Sequence, residues 1–221
     1  RGAAGGEDRA VGGGPPRRDQ LPQDPLQPGP GRRLRLFERA PDRAGGRDPG
    51  ELGLYGFRNR RDRGRALHTS TSADVRVPRV WDLVESAGKR AAALYVPPTY
   101  PPPETSATIV SCLLTPGPDS PHTRPLALAE ELRARFGPHR PDLDDDGTLD
   151  DDALLDGLFE IARQHFDVAE HVLATRDPDF LMLVEMATDR LHHALWPAMD
   201  PSDPRHDPKS PRGRQARDVY A

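Results

Sequence analysis

The chain has 221 residues, a formal net charge of -4, 35% hydrophobic and 5% aromatic residues, 20 glycines and 26 prolines. That length allows one domain with an additional segment, and so polar and proline-rich a composition predicts that part of the chain lies outside any packed core. The lack of a basic excess argues against nucleic acid as partner, no apolar run reaches the roughly 18 residues of a membrane span, no leader is recognisable, and the single cysteine, Cys112, excludes an internal disulfide and fits a reducing, cytoplasmic compartment.

Residues 1–47 consist largely of Gly, Pro, Arg and Ala, with no period of 2 or 3.6. Such a stretch buries too little apolar surface to offset chain entropy, so it is expected to be a disordered arm. It contains no Ser, Thr or Cys, and the whole chain has only two lysines, Lys89 and Lys209. An out-of-frame reading of a GC-rich gene would give the same composition. The first residue is Arg rather than Met, which points to a fragment, a processed form or a displaced gene start.

From Asp48 the pattern changes, and residues 48–221 read as an α/β domain. "DPGELGLYGF" (48–57) has the glycines of a tight turn. "FRNRRDRGR" (57–65) reads as a solvated basic loop or, through Arg58, Arg60, Arg61 and Arg63, as a phosphate cradle. In "VPRVWDLVESAGKR" (77–90), Val80, Leu83, Val84 and Ala87 recur at helical spacing before Gly88. "AAALYV" (91–96) predicts a buried strand. "PPTYPPP" (97–103) predicts a stiff loop that cannot enter a sheet interior. "ATIVSCLL" (107–114) predicts a second strand and "PLALAEELRARF" (125–136) a helix stopped by Gly137. Residues 151–176 carry a long amphipathic helix pattern with room for one break. "DFLMLVE" (179–185) predicts a third strand, followed by a helix. This alternation predicts a largely buried, mostly parallel sheet.

Three motifs could carry chemistry. Asp189 and His193 are four residues apart, so on a helix they share one face. A carboxylate and an imidazole at that spacing can reach one divalent ion, and zinc, manganese and iron accept the pair. They also follow a core strand, where α/β proteins build ligand sites. His192 lies on the same face. The plainer reading is a first-turn aspartate beside two surface histidines. Residues Asp142, Asp144, Asp146 and Gly147 match the start of an EF-hand loop, but its twelfth position is Ala153 where a bidentate Glu is required. A solvated acidic loop leading into a helix fits better. Cys112 reads as a small core residue.

"DPGELGLYGFRNR", "VPRVWDLVESAGKR", "VPPTYPP", "CLLTP" and "TDRLHHALWPAMDPSDPRHDP" occur in that order. Together they resemble the central part of the alkaline phosphatase superfamily, in its type I phosphodiesterase/nucleotide pyrophosphatase-like branch of phosphohydrolases and phosphomutases. The resemblance runs from about Asp48 to the C-terminus. It implies an alkaline-phosphatase-like α/β sandwich with a mostly parallel sheet, here incomplete. It also implies a small phosphate-ester substrate, two divalent ions, zinc or manganese, and a metal-bound Thr or Ser nucleophile. In that family an Asp-x-x-x-His element supplies two ligands to one metal, which this resemblance places at Asp189 and His193. The nucleophile is expected about a dozen residues before Asp48, where "RLRLFERAPDRAGG" has no hydroxyl or thiol. A further Asp-His pair and a last His are expected beyond Ala221. The expectation is therefore a phosphohydrolase fragment, inactive as written. The rivals are a non-catalytic α/β binding or scaffold domain and a calcium-binding module around residues 142–146.

Overall fold

The computed structural model describes residues 34–36, 46–52, 54–60, 66–143, 149–209, 213–214 and 216. These fall in one compact unit, Arg32–Ala221. Its centre is a five-stranded sheet built from β1 (Leu34–Leu36), β4 (Ala91–Leu94), β5 (Thr108–Val110), β6 (Thr123–Arg124) and β7 (Phe180–Leu183), in the order β1-β7-β4-β5-β6. The first four strands in that order are mutually parallel, and β6 closes the edge antiparallel to β5. A separate antiparallel pair joins β2 (Arg58–Arg60) and β3 (Leu67–Thr69).

The two-residue period of a strand sorts the core into two layers. Ala92, Leu94, Val110, Leu181 and Leu183 face α3 (Leu128–Phe136) and the long α4 (Asp151–Arg176), against Leu128, Leu132, Val168, Ala169 and Val172. Ala91, Ala93, Ile109 and Met182 face α2 (Val80–Ser86), whose Trp81 is buried among them. Both faces of the sheet are thus covered, as a parallel sheet requires, and the expected α/β class holds. A third apolar cluster joins Leu154, Leu155 and Leu158 of α4 to Ala187, Leu191 and Leu195 of α5 (Ala187–Met199).

Several elements differ from the sequence reading. The α2 face is turned from the expected one: Leu83 is 57% exposed and Trp81 is 1% exposed, because the indole offers far more apolar area to the small alanines of β4. The strand expected over 107–114 is only Thr108–Val110. Residues 97–99 form a loop as expected, yet they are buried. The helix over 151–176 is unbroken. Gly157 within it is a packing site rather than a break, since a Cβ there would lie 2.7 Å from Leu143 Cδ1. Asp150 caps this helix, its Oδ1 accepting from the N–H groups of Asp152 and Ala153 at 3.1 and 2.9 Å.

No element was expected before Asp48, but Leu34–Leu36 forms β1. The basic stretch at 57–65 was expected as a loop, but Arg58–Arg60 is a strand whose middle residue, Asn59, is buried. Asn59 accepts from the Tyr55 N–H and donates to Gly56 O and Ser70 Oγ. These bonds replace the apolar contacts that normally announce a strand. A four-residue helix, α1 (Pro49–Leu52), follows the turn at 48. No helix among the described residues is long and apolar enough to cross a membrane.

Candidate functional site

Strands β4, β5 and β7 run parallel, so their chains leave the sheet at one edge. Tyr95 follows β4, Ser111 follows β5, and Val184, Glu185 and Met186 lead from β7 into α5. Crevices at the carboxyl ends of such strands are where open α/β folds hold ligands. The edge is tied together by backbone bonds from Tyr95 N to Val110 O at 2.7 Å and from Val184 N to Leu94 O at 3.1 Å. Tyr95 adopts φ 59°, a left-handed conformation that costs an L residue about 1–2 kcal/mol. Its fully buried ring stacks on His165 with centroids 3.7 Å apart, which helps hold the residue there.

Helix α5 buries Ala187, Leu191 and Leu195 at four-residue intervals against α4. Its other face is thereby turned outward, and that face carries Asp189 and His193. Asp189 Oδ2 and His193 Nε2 are 3.6 Å apart, with side chains 54% and 80% exposed. Two donors each about 2.0–2.1 Å from a tetrahedral ion lie about 3.4 Å apart, so this pair fits one divalent cation with little adjustment. It supplies two donors. Among the described residues no group of three His, Cys, Asp or Glu side chains converges. His192 packs edge-on against Trp196 on the same helix, with ring centroids 5.4 Å apart.

The other candidates are placed elsewhere. Asp142 is held by Arg190 of α5 through two hydrogen bonds. Asp144, Asp146 and Gly147 lie outside the described residues, and Ala153 is in the first turn of α4. Cys112 is fully buried beyond β5. Arg58 and Arg60 flank the buried Asn59 in β2, and Arg61 and Arg63 lie outside the described residues.

A row of rings behind the edge, buried except for the partly exposed His139, was not anticipated. His165 is stacked on Tyr95, Tyr95 on His139 at 5.9 Å, and His139 on His122 at 4.1 Å with an interplanar angle of 2°. His165 Nδ1 lies 2.8 Å from Glu185 Oε2 and its Nε2 lies 2.8 Å from Arg140 O. Burial, reinforced by the Glu185 charge, raises the Tyr95 phenol far above its ordinary range. Burial, and then the neighbouring His122 and His165, pulls the His139 imidazole down to about 3. The Nε2 of His139 is buried without a hydrogen-bond partner. One signal for this row lay in the sequence: His165 occupies a position on the apolar stripe of α4, between Leu158, Ile161 and Val168, Val172.

Comparison with protein families gives one finding. The family model described as type I phosphodiesterase / nucleotide pyrophosphatase matches residues 44–214. No curated protein and no solved structure matches the chain.

Proposed function

The chain belongs to the type I phosphodiesterase / nucleotide pyrophosphatase family, and from that premise we propose that Asp189 and His193 are its pair of ligands for one divalent cation, zinc or manganese. Members of this family act on small phosphate esters and are generally metal-dependent. The observation that carries the proposal is the 3.6 Å approach of a carboxylate oxygen and an imidazole nitrogen on the outward face of α5, directly beyond β7. When bound, such a cation supplies Lewis acidity toward a phosphoryl oxygen. The residues of this chain would contribute one anionic oxygen and one neutral nitrogen to it, presented from a helix fixed by its buried opposite face.

No Ser, Thr or Cys precedes Thr69, so the stretch where the resemblance calls for a nucleophile has none. At the sheet edge the Ser111 hydroxyl is already committed, donating to Thr99 O at 2.8 Å. The chain is therefore proposed to bind metal without turning over a phosphate ester. Its α/β domain is taken as residues 48–221, close to the family match at 44–214, with β1 (Leu34–Leu36) adding one strand beside β7 from ahead of that boundary. With a single, unpaired cysteine the fold needs no oxidising compartment, and a cytoplasmic setting is proposed. The test is hydrolysis of an aryl phosphodiester with added zinc or manganese. No turnover above background is expected. A metal-dependent rate that disappears in Asp189→Ala would overturn the inactivity and leave the ligand assignment standing.

A further inference from the structure

Asp189 sits in the first turn of α5, where the backbone N–H groups have no partner within the helix. Met186, at the cap position, gives no side-chain bond. The capping acceptor is instead Glu185, whose Oε1 accepts the Ala187 N–H at 2.8 Å. Its other oxygen, Oε2, is bonded to His165 Nδ1 in the middle of α4. His165 is completely buried and Glu185 is only 9% exposed at its side chain. One carboxylate thus ties α4, the end of β7 and the first turn of α5 together.

The protonation of this bridge is constrained by its partners. Arg140 O is only an acceptor, so His165 Nε2 must carry a hydrogen to bond it. Nδ1 then either donates as part of an imidazolium to the Glu185 carboxylate, or accepts from a protonated Glu185. In both states every polar atom of the bridge facing a partner is satisfied, and burial makes a missing partner costly.

We infer that Glu185, held by His165, is a positioning residue for the Asp189–His193 pair. This inference rests on the ligand assignment proposed above. The two ligands are anchored differently. His193 lies in the second turn, between the buried Leu191 and Leu195. Asp189 lies in the turn whose start is held by Glu185 and, on its packed side, only by the single methyl group of the buried Ala187. Losing the cap frees that turn to fray and lets Asp189 move relative to His193, while the leucine-packed remainder of the helix stays in place. Losing an acceptor at a helix start typically costs about 2–30-fold in the equilibrium that forms that turn, and metal affinity that needs the turn in place falls with it.

The test uses the full chain and cobalt(II) alone as the probe, read by its visible absorption during titration. Glu185→Ala is expected to weaken cobalt binding, by up to about 30-fold, and to shift the bands toward those of the hydrated ion. Glu185→Gln is expected to bind within about 3-fold of wild type, since its amide oxygen accepts the Ala187 N–H and its NH₂ donates to the bare Nδ1 of a neutral His165. That rescue separates positioning from charge. His165→Phe keeps the stack on Tyr95 and removes the bond to Glu185, so it serves if Glu185→Ala does not fold. It is expected to weaken binding in the same direction. Cobalt binding that is lost in Asp189→Ala but unchanged in both Glu185→Ala and His165→Phe would overturn this inference alone. Glu185→Gln binding as poorly as Glu185→Ala would also overturn it, in favour of a charge effect. A wild type that binds no cobalt would overturn the ligand assignment and the positioning role with it.

Discussion

Acidification should destabilise this fold through His139. Its ring lies between His122 and Tyr95, its Nε2 has no partner, and its pKa falls from 6.5 to about 3. The folded state therefore refuses a proton that the unfolded chain accepts below pH 6.5. Where the unfolded state binds more protons, stability falls with falling pH, by about 1.4 kcal/mol per unit for each proton. The stability is fully present above pH 6.5 and is lost progressively from 6.5 down to about 3. From pH 7.5 to pH 5 the loss from this one residue is about 2 kcal/mol, a large share of the roughly 5–15 kcal/mol typical of a domain. His139→Phe keeps a flat ring in the stack and removes the titration. Urea unfolding of wild type and His139→Phe at pH 7.5 and pH 5 gives four free energies. The wild type is expected to lose about 2 kcal/mol more than the variant between the two pH values. Equal losses in the two proteins would refute the reasoning, because the other histidines remain in both.

Three further outcomes follow from the packing. Leu191→Ala, at a position with no exposure in the α4–α5 cluster, should cost about 2–5 kcal/mol in chemical unfolding. Asp150→Ala removes the side chain that accepts two first-turn N–H groups of α4 and should cost about 1 kcal/mol by the same measurement. Calcium should leave the thermal midpoint unchanged, since Asp142 is engaged by Arg190 and Ala153 cannot close an EF-hand loop. A midpoint raised by calcium and no longer raised in Asp144→Ala would favour the calcium-binding alternative.

The core of the fold was legible because its signals are apolar and local. The runs at 91–96, 107–114 and 179–185 are rich in apolar residues, interrupted only by Thr108, Ser111 and the terminal Asp179 and Glu185, and each contains a strand. The 3.6-residue pattern over 151–176 marks a helix with those bounds. What escaped lacked such signals. Strand β2 buries an asparagine rather than an apolar residue, and its stability comes from side-chain bonds to residues up to 11 positions away. Strands β1 and β6 have three and two residues, too few for any period to register. On α2 the helix was identified but its face was not, because one indole outweighs the leucine that spacing alone favoured.

The same distinction separates the parts of the candidate site. Asp189 and His193 are four residues apart on one helix, so their proximity could be read from spacing. Glu185 and His165 are 20 residues apart and meet only because β7 returns beside β4 after α4. His165 sat in view on the apolar face of α4, where a buried imidazole implies a partner, but nothing local names Glu185 as that partner. The row His122, Tyr95 and His139 draws on three separate loops and has no linear signature at all.

The most direct test of the central claim is calorimetric titration of zinc into the full chain and into Asp189→Ala and His193→Ala. Wild type is expected to bind one equivalent, with the binding lost in each variant while both remain folded. Zinc binding of unchanged affinity and stoichiometry in His193→Ala, or none in wild type, would contradict the assignment of this pair as metal ligands.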